Sequence, residues 1–178
     1  MEELEDPTER LKETLEAAEE KKERWFLYVA LSTAIVAVLA AIAGMLGNHH
    51  ANEAMLEQIS ASDKWAYYQS KSIKSEVAAS TAQILAALDK PVPADNAVKM
   101  EQYKADKEKI KEQAEEEEKS SAAHMREHVV FSRAVTIYQI AIAISAIAIL
   151  TRKKAMWYAS MLLTAIGCVF LVLGFLTH

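Results

Sequence analysis

Three stretches of this chain, residues 25–52, 134–151 and 155–178, contain no Asp, Glu, Lys or Arg. Uncharged stretches of roughly 20 residues match the ~30 Å of hydrocarbon that one helix must cross. Lipid offers no partner for a backbone amide, so segments of this kind are helices or parts of a closed barrel. Ala, Ile, Leu and Val dominate them without two-residue alternation, and that pattern predicts helices. Whole-chain averages conceal the segregation, because mean hydropathy is zero with 52% hydrophobic and 25% charged residues.

The expected fold class is an all-α integral membrane protein. It has three transmembrane helices and a long antiparallel, coiled-coil-like helical hairpin between the first and second. Residues 1–24 form a charged cytoplasmic N-terminal segment and 25–47 the first span. Residues 48–130 form a periplasmic hairpin with a proline turn at 90–94. The second span is 131–150, a basic cytoplasmic loop is 151–154, and the third span is 155–176. Residues 1–24 carry ten acids and five bases, so Trp25 to Leu46 is expected to be a permanent span and not a cleaved leader. Within the segment, Asp6-Pro7-Thr8-Glu9 is a helix start with Asp as cap and Pro at the first position. Leu4, Leu11 and Leu15 give it a thin apolar stripe.

Sidedness follows from Lys and Arg in short flanking segments. Lys21, Lys22 and Arg24 precede the first span, and Arg152, Lys153 and Lys154 separate the second from the third. Three spans put these two sites on one side, which predicts a cytoplasmic amino terminus and a hairpin outside the cytoplasm. Trp25, Tyr28, Trp157 and Tyr158 fall at that same interface. In the first span, Thr33, Ala37 and Ala41 recur every four residues with Ala40 and Gly44 beside them, a spacing that lets helix backbones approach closely in lipid.

The hairpin's break is Lys90-Pro91-Val92-Pro93, since proline removes a donor and disfavours helix just before it. Its first arm is expected to turn inward a stripe of eleven-residue period, Met55, Ala66, Val77 and Leu88 with Ser62, Ile73 and Ile84, which favours nearly straight pairing. The second arm offers Val98, Tyr103, Ile110, Ala114 and Met125. So thin a seam predicts further burial against neighbouring copies. Trp65, Tyr67 and Tyr68 cannot all meet one arm, which makes Trp65 and Tyr68 candidates for packing against a second copy.

Gly47-Asn48-His49-His50-Ala51-Asn52-Glu53-Ala54 and Ser62-Asp63-Lys64-Trp65-Ala66-Tyr67-Tyr68-Gln69-Ser70-Lys71-Ser72-Ile73-Lys74 resemble the bacterial family known as domain of unknown function 4337. Phe131-Ser132-Arg133-Ala134-Val135-Thr136, the basic link and the Trp157-Tyr158 pair extend the resemblance over nearly the whole chain. It implies a bacterial inner-membrane location and brings no catalytic residue.

The histidines are the chemistry worth weighing. His49 and His50 leave the first span, His124 and His128 approach the second, and His178 follows the third, all at one membrane surface in the expected topology. His124 and His128 are four apart and share a helix face, the spacing required of two metal ligands on one helix. Glu53, Glu57 and Glu127 are the candidate oxygen ligands. A turn centred on residue 92 sets His128 opposite roughly residue 56 and leaves His49 low for a shared ion. The alternatives are a transition-metal site at His49, His50, His124 and His128, a proton-responsive cluster, or interfacial packing.

A net charge of -5 spread over mixed-sign helices excludes a basic nucleic-acid footprint. The polar residues inside the spans, Ser32, Thr33, Thr136, Gln139, Ser145, Thr164 and Cys168, are uncharged, which weighs against a carrier. A pore of several copies lined by Ser, Thr and Gln stays open. The single cysteine builds no disulfide framework, and no phosphate loop or nucleophile elbow occurs among four glycines, each with a packing explanation. The reading is a non-enzymatic homo-oligomeric scaffold with membrane lipid and a periplasmic protein as partners and no cofactor. An oligomeric channel or an ion- or pH-responsive membrane protein is the alternative.

Overall fold

The computed structural model describes residues 7–176, with side chains described at 16, 19, 20, 23–93 and 95–176. Leu4, the expected cap Asp6, the side chains of Leu11 and Leu15, and His178 lie outside the described residues. All regular structure among the described residues is helical: α1 (Pro7–Ala87), α2 (Ala94–Thr151) and α3 (Lys154–Leu176). Each helix contains a segment long and apolar enough to cross a membrane. No proline interrupts α1 beyond its first residue, and its only glycines are Gly44 and Gly47, so nothing breaks it before Ala87.

The end of α1 is closed by its backbone. Lys90 N donates to Leu85 O at 2.9 Å and Asp89 N to Ala86 O at 3.2 Å, with Asp89 left-handed at φ 51°. This is the paired-bond cap that satisfies the last carbonyls of a helix. Pro91 and Pro93 follow the cap and do not make the stop themselves. Arg152 ends α2 in the same conformation at φ 55° and donates to Ile149 O at 3.3 Å.

Two compact units are built from these helices, one from the residues up to Gly47 with Val129 onward, the other from Asn48–His128. In the first unit the buried residues of α3 are Ser160, Gly167 and Gly174, each seven residues from the next. Tyr138 and Phe131, also seven apart, press their rings onto the two glycines: a Cβ at either would lie 2.6 Å from a ring carbon. Ser160 Oγ donates to Ala141 O at 2.8 Å. Val29, Val36 and Ala43 of α1 repeat the spacing and are buried. A seven-residue repeat is 3.5 residues per turn, the period of left-handed helix pairing. The hydroxyls of Thr33 and Ser145 are hydrogen-bonded, and Trp157 Nε1 donates to Ser32 Oγ at 3.1 Å. Of the small residues expected on one packing stripe, Thr33 and Gly44 turn inward, while Ala37 and Ala41 are exposed. Leu27, Leu31, Ile35, Leu162 and Val169 are more than half exposed.

In the second unit the packed face of α1 follows positions 50, 54, 57, 61, 64, 68, 71, 75, 78, 82 and 85, all buried or half-buried. This is an unbroken alternation of four and three. It meets 96, 100, 103, 107, 110, 114, 117, 121, 124 and 128 of α2, which share the alternation. The expected inward stripe of period eleven is therefore corrected: Met55, Ile73, Val77, Ile84 and Leu88 are each at least 60% exposed. Val98 and Met125 are also outward, while Ile110 and Ala114 are buried. The seam was misplaced because its contacts come from alanine and long polar side chains and not from large aliphatics. Ala54 and Ala61 let the helices close. Between them, Ser121 Oγ donates to Ala54 O at 2.7 Å, Lys64 pairs with Glu117 at 2.5 Å and Lys71 with Asp106 at 2.7 Å. Trp65 Nε1 donates to Glu118 Oε1 at 2.8 Å and its ring meets Tyr68 edge-on at 5.5 Å. Lys107 Nζ sits 5.1 Å from the Tyr68 ring centroid, whereas Tyr67 is half exposed.

These contacts also correct the register. A turn centred at residue 92 would set His124 and Glu127 opposite roughly residues 60 and 57, but both meet His50, so the pairing is displaced by roughly two turns. The cause is the early cap: α1 stops at Ala87 and reverses at Asp89, and each residue of displacement at the tip moves the opposing partner by two.

Candidate metal centre

The corrected register assembles the cluster. His50 comes from α1 at a seam position, and His124 and Glu127 come from α2 three residues apart, on one helix face. His50 Nδ1 lies 3.2 Å from His124 Nδ1 and 2.6 Å from Glu127 Oε2, and His124 Nδ1 lies 3.4 Å from that same oxygen. The two imidazole rings stack with centroids 5.4 Å apart and planes 28° from parallel. Three atoms with lone pairs, each from a different side chain, thus converge on one point. The Glu127 side chain is only 5% exposed, against 15% for His50 and 25% for His124.

Behind His124 stands a second carboxylate. His124 Nε2 is 3.8 Å from Glu57 Oε1, and Ser120 Oγ donates to that oxygen at 2.7 Å. The other oxygen, Glu57 Oε2, is buried without a hydrogen bond. Such a cluster can share a proton among its members or hold a cation through nitrogen and oxygen, the donor set that suits first-row divalent metals.

Not every candidate joins. His49 is exposed, with its ring centroid 5.5 Å from that of His50. His128 lines a neighbouring groove of about 670 Å³ with Met55, Ile59 and Met125. The α2 histidine spacing of four does not define the site; the pair His124 and Glu127, three apart, does. Glu53 is half-buried and takes no part in the group of converging ligand atoms. Ser120, which orients Glu57, escaped the sequence reading because an isolated serine carries no signal until the opposing helix is in register.

Fold and site together define a class: a chain all-helical in its described residues, with three helices long and apolar enough to cross a membrane, and a cluster of two half-buried histidines and a buried carboxylate between paired helices. The chain belongs to the family described as domain of unknown function DUF4337, whose profile matches residues 25–177. No curated protein and no solved structure matches it.

Proposed function

We propose that this protein is a non-enzymatic scaffold of the bacterial inner membrane. Three spans anchor a helical hairpin outside the cytoplasm, and several copies associate through that hairpin. The observation that carries the reading is the exposed aliphatic stripe of α1: Met55, Ile73, Val77 and Ile84, with Leu88 just past its end, are each at least 60% exposed. They lie on the side away from the alanine and ion-pair seam. Surface ion pairs contribute about 0–1 kcal/mol each, so a seam of this composition leaves the hairpin marginal. An aliphatic stripe of this length on a water-facing helix also marks a contact surface. A second copy fits it because its period of eleven, 3.67 residues per turn, is met by an identical helix over the whole length. The outward aliphatic residues of the first unit, such as Leu27, Leu31, Ile35 and Val169, support contact with lipid. Lys21 to Arg24 and Arg152 to Lys154 support a cytoplasmic amino terminus.

Crosslinking tests the assembly. With Cys168 replaced by Ser, a Val77→Cys chain treated with a short bismaleimide in native membranes should yield dimers or larger species, and only monomer would refute it. A reporter fused at Pro91 should be active outside the cytoplasm; activity in the cytosol would overturn the topology. The histidine cluster favours a second reading, an ion-responsive membrane protein, in which occupancy of that cluster controls the pairing of the two arms.

A further inference from the structure

We propose that His50, His124 and Glu127 bind one divalent first-row transition-metal ion through His50 Nδ1, His124 Nδ1 and a Glu127 carboxylate oxygen, with Glu57 as a positioning residue behind His124. The inference rests on neither the oligomer nor the sidedness, only on the pairing of α1 with α2 at this level of the seam.

Separation is the first argument. Ligand atoms on a regular tetrahedron around zinc, with bonds of about 2.0–2.1 Å, lie about 3.3–3.4 Å from one another. His50 to His124 at 3.2 Å and His124 to Glu127 at 3.4 Å already span two such edges. The third, His50 to Glu127 at 2.6 Å, has hydrogen-bond length and opens by about 0.7 Å as the ion enters.

Charge is the second. A proton between two of these atoms satisfies one edge of the triangle and leaves the third lone pair facing it. A cation at the centre meets all three together. A divalent ion also brings more positive charge to the Glu127 carboxylate, only 5% exposed, than one imidazolium does.

The surroundings are the third argument. A histidine that ligates through Nδ1 carries its proton on Nε2, and metal-binding histidines donate that N–H in a hydrogen bond to a carboxylate, which fixes the tautomer and raises ligand basicity. Glu57 is placed for this role at 3.8 Å from His124 Nε2, held by Ser120, with its second oxygen buried and unbonded. A helix surface whose histidines merely packed would not need an acceptor set there. The ligands come from both helices, so a bound ion ties α1 to α2 at the seam.

The test uses the full chain with an affinity tag free of histidine, purified in detergent, stripped with a chelator and titrated with zinc by calorimetry. Elemental analysis then counts the ions retained. One zinc per chain is expected, with magnesium and calcium failing to compete. His50→Gln and His124→Gln should each abolish uptake while circular dichroism shows unchanged helix content. Glu57→Gln should keep one ion at roughly 10–100-fold weaker affinity, and His49→Ala and His128→Ala should titrate as the wild type. Sub-stoichiometric uptake by the wild-type chain overturns the proposal, as does wild-type uptake by the His50→Gln, His124→Gln double variant or equal competition by magnesium. If the glutamine variants unfold, the wild-type count and the Glu57→Gln shift still decide it.

Discussion

Replacing Gly167 by Ala tests whether the period-seven fit of α3 against α2 holds the first unit together. A Cβ there would lie 2.6 Å from Tyr138 Cε1 and 2.8 Å from Cδ1, about 1 Å inside the ~3.5–4.0 Å optimum for carbon atoms. The Tyr138 ring has no room to yield. It is wholly buried, and its hydroxyl reaches Cys168 Sγ at 3.4 Å. Either α3 moves off by about 1 Å, loosening the Phe131–Gly174 and Ser160–Ala141 contacts above and below, or the ring leaves its rotamer. Overpacking of this kind costs about 1–3 kcal/mol. Alanine gains up to about 1 kcal/mol over glycine in a helix, but that gain largely cancels when the denatured state keeps its helices, as it does in dodecyl sulfate.

The assay is therefore dodecyl sulfate titration of the micellar protein followed by near-ultraviolet circular dichroism, which reads the packing of its Tyr and Trp rings and not helix content, with Gly44→Ala as control. A Cβ at Gly44 meets only Val135 Cγ2 at 3.9 Å, an ordinary contact, and that variant should match or slightly exceed the wild type. Tyr138→Leu makes room opposite Gly167, so combining it with Gly167→Ala should give a loss smaller than the sum of the two by about 0.5–3 kcal/mol. Additive losses, or a Gly167→Ala chain as stable as the Gly44→Ala chain, would refute the reasoning.

Lys71 should make the arm pairing sensitive to alkali. Its carboxylate partner Asp106, and then Tyr67, hold its ammonium pKa above the ordinary lysine value of about 10.4. A raised pKa contributes stability that is complete below that ordinary value and is lost as pH climbs through the folded one. The thermal midpoint should fall above about pH 10, and Lys71→Met should reduce that fall, leaving the part that belongs to Lys99, which Asp95 raises in the same way; an unchanged alkaline limb in the variant would contradict the pairing. Asp95, lowered by its bond from Lys99, should behave oppositely, with its contribution lost as pH drops below about 3.9, and Asp95→Asn should erase the acid-side component in the same scan. Asp89 sits at φ 51°, a conformation that favours glycine, so Asp89→Gly should raise stability by up to about 1 kcal/mol in the same unfolding assay, and a clear loss would mean that its side chain stabilises the turn.

The helical class of this chain and its three membrane-length segments were legible because one physical demand, the absence of charge over the thickness of a bilayer, writes itself directly into composition. Residues 25–52, 134–151 and 155–178 each fall within or overlap one of the three observed helices. The seam in the second unit was not legible for the opposite reason. Sequence patterning locates a packed face by its apolar content, and here Ala54, Glu57, Ala61, Lys64 and Lys71 do the packing while Met55, Val77 and Ile84 stay outside. The true repeat of seven was present in the sequence. It was carried by residues whose hydropathy gives no sign of burial.

The same misreading governed the candidate site. Four histidines could be named from sequence, but which of them share a point depends on register, and register depends on where α1 ends. Two prolines advertised a turn near residue 92, whereas the reversal is made earlier by Asp89 in a left-handed conformation, a state that aspartate tolerates better than most side chains. Three residues of error at the tip became roughly two helical turns at His50, enough to bring His124 and Glu127 level with a residue that a turn centred on residue 92 leaves below them. In a long antiparallel pair whose seam contains few large apolar anchors, the ion pairs Lys64–Glu117 and Lys71–Asp106 are what fix the register. Exchanging the charges of the Lys71–Asp106 pair within one chain should preserve the histidine cluster. Reversing Lys71 alone should favour slippage and separate His50 from His124, which crosslinking of cysteines placed at these two positions would detect as loss of the disulfide.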